Sequence, residues 1–204
     1  VCVTGLIVVD TGSYYSSFGE FVILLLIQVG GLGYMTATTF LLILLGRRFG
    51  LKEKLAIQKS LDLRGLSSAV QLVQSISAMT LVFALTGIVI MFPIFAQDYG
   101  SLYSLWLAVF HSISAFNNAG FSLFADSLTQ YATSVPINLI IPFLILMGGL
   151  GYQVIMELYR WGRDRLRHKT QHVDFSLNFK IATSTSAFLL VIGTIVILAT
   201  EYRN

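Results

Sequence analysis

Four long stretches without a charged side chain divide the chain. No Asp, Glu, Lys or Arg occurs in residues 21–46, 65–97, 127–156 and 181–200. A helix needs about 20 apolar residues to cross a hydrocarbon core about 30 Å thick, and ionisable groups are costly at the centre of a bilayer. The pattern therefore predicts four membrane-spanning helices, at 20–46, 70–96, 136–159 and 181–200.

A fifth apolar stretch, Tyr103 to Phe116, has 14 residues and is too short to cross. We predict a short helix with Ser101 as its N-cap, which enters from the outside and stops at Asn117. The chain after it, which contains Gly120, must return to the outside. Non-helical backbone at this depth is tolerated only inside protein or along a water-filled cavity. Carbonyls there, beside the negative end of a helix dipole, would suit a cation. An ordinary outside loop with a surface helix is the alternative.

Composition and charge agree with a membrane protein. The apolar share is 55% and the charged share 11%, against about 25% charged residues in soluble domains, which excludes a soluble or disordered chain. Of 13 Lys and Arg residues, six lie in 47–64 and six in 160–180. The positive-inside rule places these loops in the cytoplasm and residues 1–20 and 97–135 outside. We therefore expect a multi-pass protein of the cell inner (plasma) membrane. Its basic loops would touch anionic lipid, and we predict no nucleic-acid partner.

The chain contains an internal repeat. Gly-Gly-Leu-Gly-Tyr occurs at residues 30–34 and again at 148–152, an offset of 118. Upstream of each copy lies a short glycine-containing segment followed by an acidic residue, Asp10 in the first copy and Asp126 in the second. The repeat predicts a duplicated unit of span, short segment, glycine loop and span. We assign the glycines of the repeated motif, including Gly31, to close helix packing.

The segments 1–12, 28–36 and 114–122 resemble the Trk/Ktr/HKT superfamily of potassium transporters, and within it the KtrB-type membrane subunits of bacterial Ktr systems. The resemblance implies an all-α polytopic membrane fold, with repeated helix–pore loop–helix units around a central ion pore. It also implies K⁺ uptake by selective permeation through a filter of backbone carbonyls, with K⁺ as the transported ion and no organic cofactor. The implied filter residues are Val3, Thr4, Gly5, Asn118, Ala119 and Gly120.

The same resemblance implies a domain order and partners. Residues 1–50 would form the first filter strand and second helix, 51–69 a cytoplasmic loop, and 70–165 the second helix–pore loop–helix unit. Residues 166–204 would form a cytoplasmic loop and the first helix of the third unit. We therefore expect a fragment of a longer polypeptide, a homodimer, and a KtrA-type nucleotide-binding regulatory subunit on the cytoplasmic side.

Other candidate residues keep two interpretations. His111 is either functional or a hydrogen-bonded packing residue, and we expect packing. Asp10 and Asp126 either attract cations or are ordinary loop acids. The rival functions are a membrane-embedded enzyme and a non-transporting scaffold. We expect no enzyme, because the candidate acids Glu20 and Glu157 lie at the edges of the predicted spans.

Overall fold

The computed structural model describes residues 5–31, 66–166 and 175–201, and every regular element in those ranges is a helix. The elements are α1 (Thr11–Tyr14), α2 (Ser17–Gly31), α3 (Leu66–Asp98), α4 (Ser101–Phe116), a 3₁₀ helix (Thr129–Tyr131), α5 (Val135–Leu150), α6 (Tyr152–Leu166) and α7 (Leu177–Glu201). The predicted all-α membrane fold is confirmed.

Two of the described helices are long and apolar enough to cross a membrane. They are the part of α3 from Gln74 to Asp98 and the whole of α7, each 25 residues long. At 1.5 Å per residue each reaches about 37 Å, which exceeds the hydrocarbon thickness. They correspond to the spans predicted at 70–96 and 181–200. Of the span predicted at 20–46, residues 20–31 belong to α2, and the rest lies outside the described residues.

The span predicted at 136–159 corresponds to two helices, α5 and α6, with a break between them. α5 ends at Leu150, Gly151 has a φ of +81°, and α6 starts at Tyr152. Side chains rarely adopt that left-handed conformation, so glycine allows the break. The break falls inside the second copy of the repeated glycine motif. α6 carries Arg163 and Arg165 in its last turn, where cations complement the helix dipole.

Contacts divide the chain into two compact units, Val1–Gly148 and Gly149–Asn204. In the first unit α4 lies inside the core, with nine of its 16 residues buried. α3 packs along it, and Met91, Phe95, Leu107, Phe110 and Leu144 from three helices are fully buried. The short helix α4 is therefore largely buried, with the longer helix α3 packed along it.

In the second unit α6 holds the start of α7. The Glu157 carboxylate accepts hydrogen bonds from the backbone N–H and the hydroxyl of Ser176, at 3.0 and 2.6 Å. The Ser176 Oγ accepts in turn from the Phe179 N–H at 3.1 Å. Ser176 is thus the N-cap of α7, and a carboxylate at this end also complements the helix dipole.

Candidate functional site

The short helix α4 begins one residue earlier than predicted. It starts at Ser101, and its N-cap is Gly100, with φ −61° and ψ 146° and no side-chain capping bond. The prediction of Ser101 as N-cap is therefore wrong. The first turn is closed by the backbone, because the Ser104 N–H donates to the Gly100 carbonyl at 2.9 Å. Sixteen residues reach only about 24 Å, so the prediction of a helix that does not cross is confirmed.

The C-terminal end of α4 closes with a Schellman turn. The Asn118 N–H donates to the Ala115 carbonyl at 3.1 Å, and the Ala119 N–H donates to the Ser114 carbonyl at 2.9 Å. Asn118 has a φ of +53°, the left-handed conformation that this motif requires after the helix end and that asparagine tolerates. The chain turns sharply there, so Ala119 is buried and Gly120 is exposed.

The turn brings the two predicted filter glycines together. Gly5 and Gly120 both have positive φ values, +62° and +74°. A Cβ built on Gly5 would overlap the carbonyl group of Gly120 and lie 2.7 Å from its Cα. Gly12 approaches the Leu123 carbonyl in the same way. The two glycine loops therefore lie side by side, at a spacing that only glycine allows. The other first-loop residues of the predicted filter, Val3 and Thr4, lie outside the described residues.

Side chains of α4 hold the segment that follows Gly120. The Ser114 hydroxyl donates to the Phe121 carbonyl at 2.7 Å. His111 Nδ1 lies 2.8 Å from the Leu107 carbonyl and must donate to it, so in the neutral ring Nε2 accepts from the Ser122 hydroxyl at 3.0 Å. The imidazole also stacks on the Phe124 ring, with centroids 4.9 Å apart. His111 is therefore a hydrogen-bonded packing residue, as expected.

Two contacts tie α2 to α4. Near the start of both helices, the Trp106 Nε1–H donates to the Glu20 carboxylate at 2.6 Å, and Glu20 is only 5% exposed. At the other end, the Asn117 side-chain amide donates to Gln28 Oε1 at 3.3 Å and to the Ile113 carbonyl at 2.9 Å. We did not predict the tie between Gln28 and Asn117. The available signal was the polar Gln28 side chain inside the charge-free stretch 21–46. Polar groups in such stretches usually face protein and not lipid.

Three aspartates lie in or beside the loops that flank α1 and α4. Asp126 is exposed in a turn, and Asp10 precedes α1. The Tyr131 hydroxyl donates to Asp98 at 2.9 Å. Burial and this hydrogen bond raise the pKa of Tyr131. Among the described residues, no three His, Cys, Asp or Glu side chains lie together as metal ligands would. The group that lies against Gly5 is the backbone of Gly120, including its carbonyl.

Known proteins resemble the chain over its full length. The TrkH family, described as a cation transport protein, matches residues 1–203. Ktr system potassium uptake protein B of Bacillus subtilis (strain 168) is 37% identical over 99% of this chain and 44% of its own length. The Vibrio alginolyticus protein of the same name is 33% identical, and potassium/sodium uptake protein NtpJ of Enterococcus hirae is 32% identical.

The chain spans 44% of the length of the Bacillus relative and 43% of the Enterococcus relative. The family and these relatives transport ions and are not enzymes, which agrees with the expectation from the sequence. With a family match over residues 1–203 and a potassium uptake protein 37% identical over 99% of it, the chain belongs to the TrkH family of cation transport proteins.

Proposed function

We propose that the protein containing this chain takes up K⁺ across the membrane by selective permeation through backbone carbonyls. The observation that carries the proposal is the close approach of Gly5 and Gly120, both in the left-handed conformation, beside the C-terminal end of a buried short helix. The printed names of the Bacillus and Vibrio relatives support K⁺ as the ion.

The proposed filter consists of carbonyl oxygens that replace part of the hydration shell of the ion. A site of neutral dipoles holds a monovalent cation weakly enough to release it, which permeation requires. The C-terminal end of α4 adds about half a negative charge close to the loop. The residues that contribute carbonyls are Val3, Thr4, Gly5, Asn118, Ala119 and Gly120.

The orientation and the partners belong to the same proposal. The basic loops 47–69 and 160–180 lie in the cytoplasm, and the filter loops face the outside of the inner (plasma) membrane. Exposed Arg160, Arg163 and Arg165 on α6 support a cytoplasmic surface that meets lipid headgroups and a KtrA-type regulatory subunit. The protein acts as a homodimer. A cysteine replacing Asp126 should react with impermeant thiol reagents added outside, whereas one replacing Arg165 should not.

The domain order proposed is the one that the resemblance implies. Residues 1–50 supply the first filter strand and second helix, and 70–165 supply the second helix–pore loop–helix unit. The segments 51–69 and 166–204 supply the cytoplasmic loops and the first helix of a third unit.

Substitution of the filter glycines tests the proposed function. Gly5→Ser and Gly120→Ser in the full-length protein force a side chain into a left-handed conformation, at a cost of about 1–3 kcal/mol. With about 1.4 kcal/mol per tenfold change, K⁺ affinity or the Na⁺/K⁺ permeability ratio should change by about one to two decades. The measurement is uptake of both ions by cells that require K⁺. Sodium is included because the Enterococcus relative is named for both ions.

Gly100→Ser is the matched control. Gly100 is also a loop glycine next to α4, but a Cβ there meets no atom within 4 Å, and serine is a good N-cap. This variant should keep the wild-type affinity and ion preference. If both filter variants also kept them, the carbonyl filter would have to be abandoned.

A further inference from the structure

Both copies of the repeated glycine motif contact the same end of α4. Gly31, the last residue of α2, belongs to the first copy, and Gly148 of α5 belongs to the second. A Cβ on Gly31 would overlap the side chain of Asn117, and a Cβ on Gly148 would overlap the carbonyl oxygen of Phe116. The last turn of α4 is therefore held between two helices, each of which presents a glycine to it.

On the α2 side, the partner of the glycine is a side chain. Gln28 and Gly31 are three residues apart and share one face of α2. The Asn117 amide donates to Gln28 Oε1 at 3.3 Å, while its Cβ would lie 2.7 Å from a Cβ at position 31. Because Gly31 has no side chain, the Asn117 side chain has space to reach Gln28. Gly31 is in close packing, as predicted, and the residue that it contacts is Asn117, the C-cap of α4.

On the α5 side, the partner is backbone. The Phe116 carbonyl lies against the Cα of Gly148, and the Asn118 side-chain nitrogen would be 3.0 Å from a Cβ there. A backbone carbonyl cannot rotate away as a side chain can. A larger residue at 148 must therefore move the end of α4 itself or separate α5 from it.

We propose that Gly31, Gly148 and Asn117 are positioning residues that set the place of the filter carbonyls at Ala119 and Gly120. The inference rests on the proposed function and extends it to residues that contact no ion. Asn117 lies three residues before Gly120, and the amides of Asn118 and Ala119 are bonded to the last turn of α4. Close-packed protein transmits a displacement of that turn to the loop, and selectivity depends on where the carbonyls lie.

The test compares three glycine-to-alanine variants of the full-length protein. Gly31→Ala and Gly148→Ala should each change the Na⁺/K⁺ permeability ratio or the K⁺ half-saturation about three- to tenfold. Gly87→Ala is the matched control, because Gly87 on α3 also packs closely against α4, but at Ser112, one turn before the end. It should lower the thermal stability of the purified protein and leave both transport values unchanged.

A double variant separates the two sides. Asn117→Ser removes Oδ1, the Asn117 atom nearest to a Cβ at position 31, so Gly31→Ala should have a smaller further effect in that background. Gly148→Ala should keep its full effect there, because its partner is backbone. If Gly31→Ala does not fold, Gln28→Ala and Asn117→Ser still apply the test, since each removes the tie without adding an atom, and both should change the transport values.

Two results would decide against the inference, and they differ in their meaning. If Gly5→Ser and Gly120→Ser change ion preference but Gly31→Ala, Gly148→Ala and Asn117→Ser do not, the positioning role is wrong and the filter stands. If no substitution in either set changes ion preference, the proposed function fails and the positioning role fails with it.

Discussion

The helices α4 and α7 are both apolar, but α4 is largely buried and α7 is exposed. Nine of the 16 residues of α4 are buried, whereas none of the 25 residues of α7 is. The difference follows from their lengths and neighbours. α7 is long enough to cross a bilayer with apolar side chains all around. α4 is too short for that, and its polar ends require protein around them.

Their hydroxyl groups show the same contrast. On α7, Thr183 and Thr194 donate to carbonyls four residues earlier in their own helix, Phe179 and Leu190, at 2.6 and 2.7 Å. On α4, Ser114 donates to Phe121 in the segment that follows the helix. A hydroxyl bonded within its own helix needs no neighbour, but one bonded to another segment fixes that segment. The two threonine bonds on α7 are therefore local, whereas the Ser114 bond on α4 holds a second segment.

The largest expected effect is on Trp106. Trp106→Phe removes the indole N–H that donates to Glu20, so the buried Glu20 carboxylate loses this hydrogen bond. Hydrogen bonds to charged groups contribute about 1.5–3 kcal/mol, so we expect the free energy of unfolding in detergent to fall by about 2–3 kcal/mol. Trp161→Phe, at a side chain that is 37% exposed, is the matched control. A loss at Trp106 no larger than at Trp161 would contradict the tertiary role of α4.

A smaller effect is expected at Ser114. Ser114→Ala leaves the Phe121 carbonyl without its hydroxyl partner, which costs about 1–2 kcal/mol. Ser184→Ala in α7 is the control, because the Ser184 hydroxyl is exposed and donates to its own helix at Ile181. Denaturant titration of the two purified variants measures the difference. Equal losses of stability would mean that the Ser114 hydrogen bond to another segment contributes no more than the Ser184 bond within α7.

The smallest effect is expected at Thr194. Thr194→Val removes only the bond to the Leu190 carbonyl within the same exposed helix, and valine has nearly the same shape. The free energy of unfolding should stay within about 0.5 kcal/mol of wild type, as measured by thermal unfolding in detergent. A clear loss of stability would show that α7 has a protein neighbour at this position.

The sequence by itself determined the features that depend on length and on charge. The bilayer excludes charges, so the apolar windows located α3 and α7, and the 14-residue stretch located α4. The glycine loops that contain Gly5 and Gly120 were also visible in the sequence, through the repeat, and both glycines adopt positive φ. Membership of the family could be predicted because the repeated segments are specific.

The tertiary structure alone decided which groups meet. Nothing along the chain distinguishes Gly151, which ends a helix, from a glycine that packs two helices together, because both suit an apolar window. The partners Glu20 and Trp106 are 86 residues apart, and Gln28 and Asn117 are 89 apart. Hydrophobic periodicity predicts that a residue is buried, but it does not identify the residue that packs against it, because any apolar surface can bury an apolar side chain. Directional bonds and close glycine contacts select one neighbour, and they form only once the helices have packed.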